Sequence, residues 1–119
     1  MSSPPLAPDD GPIDFEHLSR MTLGDPALER EVLTMFATQS AKLLDRLAAL
    51  PPEAGALAHT LKGSARAIGA FAVAEAAAGL ETALAQAGDA GPGAEAALDG
   101  LRDAVAAAQG AIEAFLRRG

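Results

Sequence analysis

Apolar residues recur every three or four positions over most of this chain, which is the spacing of an amphipathic helix rather than a strand. The clearest example begins at Asp25-Pro26, an N-cap residue followed by the proline that favours the first helical position. Its apolar positions are Leu28, Val32, Met35, Phe36, Leu43, Leu47 and Leu50. The charged residues lie on its other side, and Pro51-Pro52 ends it. The pattern therefore predicts a long amphipathic helix over residues 26–50.

The same spacing predicts four more helices, one short and three long. The short helix runs from about Phe15 to Met21, with Asp14 as its N-cap, and Gly24 breaks the chain after it. The long helices run from about Glu53 to Ile68 with Gly69 near the end, from Ala72 to Ala87, and from Ala94 to Arg118, with a loop over residues 88–93. Four long helices joined by short loops predict an all-α, antiparallel up-down four-helix bundle with a short additional N-terminal helix.

The amino-acid composition agrees with an all-α fold, and it changes between the first residues and the rest of the chain. Alanine and leucine, the best apolar helix formers, dominate, and β-branched residues are scarce. Residues 1–12 are rich in Pro, Ser, Asp and Gly and lack periodicity, so they are predicted to be a disordered N-terminal segment. Residues 13–119 are predicted to form one bundle domain. Because the bundle satisfies one buried face per helix, a monomer is expected.

Charge and cysteine content exclude several function classes. A net charge of -7 argues against nucleic-acid binding, which needs a basic surface. The absence of cysteine excludes disulfides and thiolate metal sites. Neither a secretion signal nor an uninterrupted apolar run of about 20 residues is recognisable, so we expect a cytoplasmic protein without a membrane span.

One predicted helix carries a histidine, His59, on the side opposite its apolar residues. At about 100° per residue, the far side of that helix carries Leu57, Leu61 and Ile68. The residues within about 60° of His59 are Lys62, Gly63 and Arg66. The helix is therefore predicted to bury one side and to present an imidazole, two cations and a position without a side chain.

These residue types suit phosphoryl transfer. A neutral imidazole nitrogen is a competent nucleophile, and phosphoryl transfer asks a protein mainly for positioning and charge stabilisation. Lys62 can place its ammonium near a phosphoryl group on His59, and Arg66 could add a forked donor set. Gly63 costs about 1 kcal/mol relative to alanine in a helix. Its missing side chain is explained if another protein must approach closely; the alternative is a tolerated defect.

The run from His59 to Gly69 resembles the phosphorylation-site motif of histidine-containing phosphotransfer (HPt) domains. That motif has a histidine, an apolar residue two positions later, Lys-Gly, small residues and an apolar-Gly pair. Here these are His59, Leu61, Lys62-Gly63, Ser64-Ala65 and Ile68-Gly69. Gly24-Asp25-Pro26, Phe36 and Leu80-Glu81 are also similar to the family, so the resemblance covers roughly residues 14–118.

This resemblance implies a stand-alone HPt protein of a two-component phosphorelay. His59 would accept a phosphoryl group from a receiver-domain aspartate or a sensor (hybrid) histidine kinase, and would pass it to the aspartate of a response regulator. Mg²⁺ and the acidic cluster would belong to the partner receiver domain, so no cofactor and no autonomous kinase or phosphatase activity are expected. Arg66 departs from the family, where this position is commonly small; it either tunes transfer or is a solvated cation.

The remaining candidates are weaker. Ala56, Ala67 and Ala70 lie near the His59 side and are predicted to form a shallow docking rim for a receiver domain. His17 is interpreted as a surface or capping residue. No second ligand pair supports a metal site in the bundle. Two alternatives stay open: a helical adaptor bundle that binds partners without phosphorylation, and the substrate domain of a chemotaxis-type kinase.

Overall fold

The computed structural model describes residues 11–87 and 91–118. These residues form five helices: α1 (Phe15–Met21), α2 (Pro26–Leu47), α3 (Ala54–Ile68), α4 (Phe71–Ala87) and α5 (Pro92–Arg118). α3 packs against α2 and α4, and α5 packs against α4 and α2, so the four long helices close a bundle, while α1 lies on α3. The predicted all-α bundle with a short N-terminal helix is confirmed.

Two expectations fall largely outside these residues. Of the segment predicted to be disordered, only Gly11 and Pro12 are described, and they lead into the buried Ile13. Of the predicted loop over residues 88–93, positions 88–90 lie outside. Within residues 11–87 and 91–118, no helix is long and apolar enough to cross a membrane.

The starts of α1 and α2 follow their capping residues, whereas the end of α2 and the start of α5 differ from prediction by more than one residue, and the starts of α3 and α4 differ by one. The Asp14 carboxylate accepts from the His17 N–H at 3.0 Å, and Asp25 accepts from the N–H groups that open α2. α2 ends at Leu47 rather than Leu50, whose φ of +46° is incompatible with a helix. Leu50 precedes Pro51, and a following proline disfavours the helical region. α5 begins at Pro92 rather than Ala94, because proline suits the first turn.

The buried side of α2 is narrower than its apolar pattern. Leu28 and Met35 are 39% and 62% exposed, whereas Leu33, absent from the predicted apolar positions, is fully buried beside Phe36. Since α2 packs against α3 and α5, only the stripe that faces both helices is covered. Met35 lies about 100° from Phe36 round the helix, on the flank of that stripe. The two exposed side chains therefore belong to the surface.

α1 is tied across the end of α3. The Asp14 N–H donates to the Gly69 carbonyl at 2.9 Å, and His17 Nε2 lies 3.1 Å from the Ala67 carbonyl oxygen. The His17 ring also meets Phe71 edge-on, with ring centroids 5.2 Å apart. His17 is therefore more than the surface or capping residue expected from sequence, because it fastens α1 to α3 and α4.

Gly69 is required by this junction. Its φ is +91°, in the left-handed region that ends α3 and that favours glycine. A Cβ atom at this position would lie 2.8 Å from the Asp14 carbonyl oxygen and 3.3 Å from Cδ2 of His17. The sharp turn and the close approach of α1 therefore both depend on the missing side chain.

Candidate functional site

α3 has one buried side and one exposed side. Leu57, Leu61 and Ile68 are buried in the core. On the opposite side, the side chain of His59 is 68% exposed. The angular placement of these residues predicted from sequence is confirmed, and the imidazole is accessible to a partner.

A carboxylate from the neighbouring helix holds the imidazole. His59 Nδ1 lies 2.9 Å from Oε2 of Glu81, which is 22 residues later on α4. The other oxygen of the same carboxylate, Oε1, lies 2.8 Å from Nζ of Lys62. Glu81 thus bridges the two residues that the sequence singled out. The lysine side chain is only 18% exposed, so its ammonium is held against α4 rather than extended into solvent.

The charge on Glu81 decides which imidazole nitrogen is free. The hydrogen bond from Lys62 holds the pKa of Glu81 below its ordinary value of 4.5; partial burial opposes this, and His59 adds to the lowering. At neutral pH the carboxylate is therefore ionised and can only accept hydrogen bonds. In the neutral ring, Nδ1 carries the hydrogen that is donated to Glu81, and Nε2 keeps its lone pair. Nε2 is therefore the ring nitrogen that is free to act as a nucleophile.

Bare backbone lies one turn beyond the imidazole. Gly63 is exposed, and among the described residues no atom outside its own helix lies within 4 Å of the place a Cβ would occupy. Its backbone is helical, so the fold itself does not require glycine there. The missing side chain instead leaves space next to His59.

Two neighbouring grooves lie along α3, and the first of them reaches the bare backbone at Gly63. The α1–α3 groove, of about 650 Å³, is lined by His17, Arg20, Met21, Gly63, Arg66 and Ala67. The α2–α3 groove, of about 390 Å³, is lined by Met21, Val32, Met35, Phe36, Gln39, Ser64, Ala67 and Ile68. Met21 and Ala67 belong to both grooves, which makes one continuous surface. It combines the guanidinium-bearing residues Arg20 and Arg66 with exposed methionines.

The three alanines of the predicted docking rim differ in solvent exposure. Ala56 and Ala67 are exposed on the His59 side. Ala70 is fully buried, so its assignment to the rim was wrong. The helical angle cannot be extended to it, because the left-handed Gly69 ends α3 and turns the chain inward, with the Ala70 N–H donating to the Ala65 carbonyl at 2.8 Å.

Two residues near the site were not identified as such from the sequence. Glu81 was noted only within the family pattern, and Arg20 was not considered. Both reach the site from other helices, so no spacing along α3 could reveal them. Within residues 11–87 and 91–118, no group of three His, Asp or Glu side chains is placed to hold a metal ion.

The chain is similar in sequence and in fold to known proteins. The family described as Hpt domain matches residues 31–111. Among solved structures, the chain is similar to the histidine phosphotransferase ShpA from Caulobacter crescentus, with 32% sequence identity, 91% of this chain and 93% of that chain covered, and a TM-score of 0.70. None of the curated protein sequences gives a significant match.

Proposed function

Because the chain belongs to the Hpt domain family, we propose that it carries a phosphoryl group on His59 between the components of a phosphorelay. The donor is the phospho-aspartate of a receiver domain or a histidine kinase, and the acceptor is the aspartate of a response-regulator receiver domain. The observation that carries this proposal is the exposed imidazole, held at Nδ1 by Glu81, beside uncovered backbone at Gly63.

The proposed transfer needs no proton movement. The Nε2 lone pair attacks the phosphorus of the donor acyl phosphate, and the N–P bond forms as the bond from phosphorus to the aspartate oxygen breaks. The donor leaves as a carboxylate. Nδ1 keeps its hydrogen, which it continues to donate to Glu81. The ring gains positive charge during this step, and the fixed Glu81 carboxylate stabilises that charge. Transfer onward to the second aspartate runs through the reverse steps.

The surface around His59 suits a receiver domain as the partner. Arg20 and Arg66 line the α1–α3 groove of a chain whose net charge is -7, so this side is locally cationic. The acidic phosphorylation cluster and the Mg²⁺ of a receiver would face it, and complementary charge favours correct encounter. Exposed Met21 and Met35 supply adaptable apolar contact at the edge of the same surface.

A direct test follows the phosphoryl group. The chain is incubated with a radiolabelled phospho-receiver, or with a histidine kinase and labelled ATP, and a second receiver is then added. We expect label on the chain and its passage to the second receiver. A chain that binds receivers without acquiring label from either donor would instead be an adaptor bundle, and the proposal would fail.

Gly63→Gln tests the need for open backbone. We expect the variant to fold normally, because a Cβ at this position meets no atom outside its own helix within 4 Å in the described part of the chain, and to be as stable as the wild type or slightly more stable. Transfer from a phospho-receiver should slow at least about tenfold, since the glutamine blocks close approach. Gly110→Gln, at an exposed and equally open position on α5, is the matched control and should transfer normally. Equal rates in both variants would remove Gly63 from the site.

Glu81→Ala tests the carboxylate behind the imidazole. Without the ionised partner, we expect phosphorylation of His59 to slow by about tenfold, equivalent to about 1.4 kcal/mol in the barrier. Affinity for the receiver should stay the same, because Glu81 acts through the ring and not through the partner. Glu75→Ala removes an exposed carboxylate from the same helix and should leave the rate unchanged.

The imidazole nitrogens provide a second measurement on Glu81→Ala. Nitrogen-15 NMR of the neutral His59 ring should show its hydrogen mainly on Nδ1 in the wild type. In the variant, the hydrogen should be divided between the two nitrogens, as a mixture of tautomers. A purely structural role for Glu81 would leave this ratio unmoved, and that outcome, together with an unchanged rate, would contradict a positioning role.

A further inference from the structure

A small cavity lies where the end of α5 meets the start of α2. It measures about 230 Å³ and is lined by Pro26, Arg30, Phe115 and Arg118. None of these residues lines either groove beside His59. Both charged residues of the cavity are arginines, which is unusual in a chain with 16 acidic residues.

Arg30 carries a donor that the described part of the chain leaves unused. Within residues 11–87 and 91–118, its Nη1 is shielded from solvent and has no hydrogen-bond partner. Neither Arg30 nor Arg118 forms an ion pair with a carboxylate in the described part of the chain. Buried polar groups are almost always hydrogen-bonded, because an unpaired buried donor is destabilising. Arginine stays protonated in proteins, so deprotonation does not remove the unpaired donor. The wall of the cavity therefore includes one guanidinium with an unpaired donor and a second arginine without an ion pair.

The surroundings of the cavity explain why an arginine is tolerated there, but among the described residues they offer no hydrogen-bond acceptor to Nη1 of Arg30. Arg118 lies in the last turn of α5, the negative end of the helix dipole, where cations are favoured. The neighbouring Phe115 ring stacks on Phe15, with centroids 5.1 Å apart and planes 12° apart, which makes a firm apolar wall. The dipole accounts for tolerance of positive charge here. It supplies no acceptor to Nη1 of Arg30.

We propose that this cavity binds a small oxyanion, a carboxylate or phosphate group, that accepts hydrogen bonds from Arg30 and Arg118. The guanidinium fork matches the oxygen spacing of both groups. A cavity of about 230 Å³ is smaller than sites that enclose a whole cofactor, so it takes a single anionic group rather than a nucleotide. This site is separate from His59 and does not depend on phosphoryl transfer.

The test is titration calorimetry with inorganic phosphate and, separately, with acetate, at constant ionic strength maintained with sodium chloride. We expect saturable binding of at least one ion to the wild type and to His59→Gln. Arg30→Gln and Arg118→Gln should each weaken it at least tenfold. Arg117→Gln, which alters the neighbouring arginine outside the cavity, should bind normally. The ion that binds more tightly identifies the group as phosphate or carboxylate.

A second measurement keeps the result independent of variant folding. In the wild type, the side-chain nitrogen resonances of Arg30 should shift on titration with the ion that binds, while those of Arg102 should not. Absence of saturable binding by both ions, or equal binding by wild type and the folded Arg118→Gln, would overturn the proposal.

Discussion

Replacement of His59 by glutamine is expected to abolish phosphorylation of the chain while changing its free energy of unfolding by about 0.5 kcal/mol or less. Glutamine has no nitrogen lone pair that can form a stable phosphoramidate. The imidazole is 68% exposed and its hydrogen-bond partner, Glu81, is itself partly exposed, so its removal leaves no cavity in the core. The substitution should therefore remove phosphorylation and leave the free energy of unfolding nearly unchanged.

His17→Gln is the matched control, because it changes the other histidine of the chain. We expect it still to accept label, because His59 is unchanged, but to lose about 1 kcal/mol of stability with its hydrogen bond to the Ala67 carbonyl. Label on the wild type should also be lost in acid and kept in alkali, as is typical of phosphohistidine. Label remaining on His59→Gln, or loss of cooperative unfolding in that variant, would refute the assignment.

Gly69→Ala is expected to lower the free energy of unfolding by about 2–4 kcal/mol, through backbone strain and overpacking together. The new methyl group would meet the Asp14 carbonyl oxygen at 2.8 Å, and this backbone atom cannot move without displacing α1. The φ of +91° adds strain for any residue with a Cβ. Urea unfolding followed by circular dichroism measures the change.

Gly63→Ala is the control for this effect and should have the opposite sign. This glycine lies in the same helix with open space around it, so alanine should raise the free energy of unfolding by up to about 1 kcal/mol. If Gly69→Ala were as stable as the wild type, the packing of α1 against the end of α3 would be described incorrectly. The pair thus distinguishes a glycine needed by the fold from one that the fold does not need.

The helices, and the starts of α1 and α2, could be predicted because their causes are local. Asp14 and Asp25 cap the helices that follow them, and both contacts are seen in the structure. The buried stripe of α2 could not be predicted with the same accuracy. Met35 and Leu33 are both apolar, and their burial depends on where α3 and α5 lie, which no pattern within α2 encodes.

The residues of the candidate site also fall into those whose positions could be predicted from the sequence and those whose positions could not. His59, Lys62 and Gly63 could be placed on one side of α3 because one helix sets their angles. Ala70 could not, since the helix ends before it and the chain turns into the core.

The pattern of residues along the chain is enough to predict a bundle of helices, and a histidine that faces away from the apolar side of its own helix, because helical periodicity fixes angles within an element. That pattern does not predict that Glu81 holds Nδ1 of this histidine, that Arg20 joins the neighbouring groove, or that α1 needs Gly69. These contacts depend on the relative register of separate helices, which arises from side-chain packing between them.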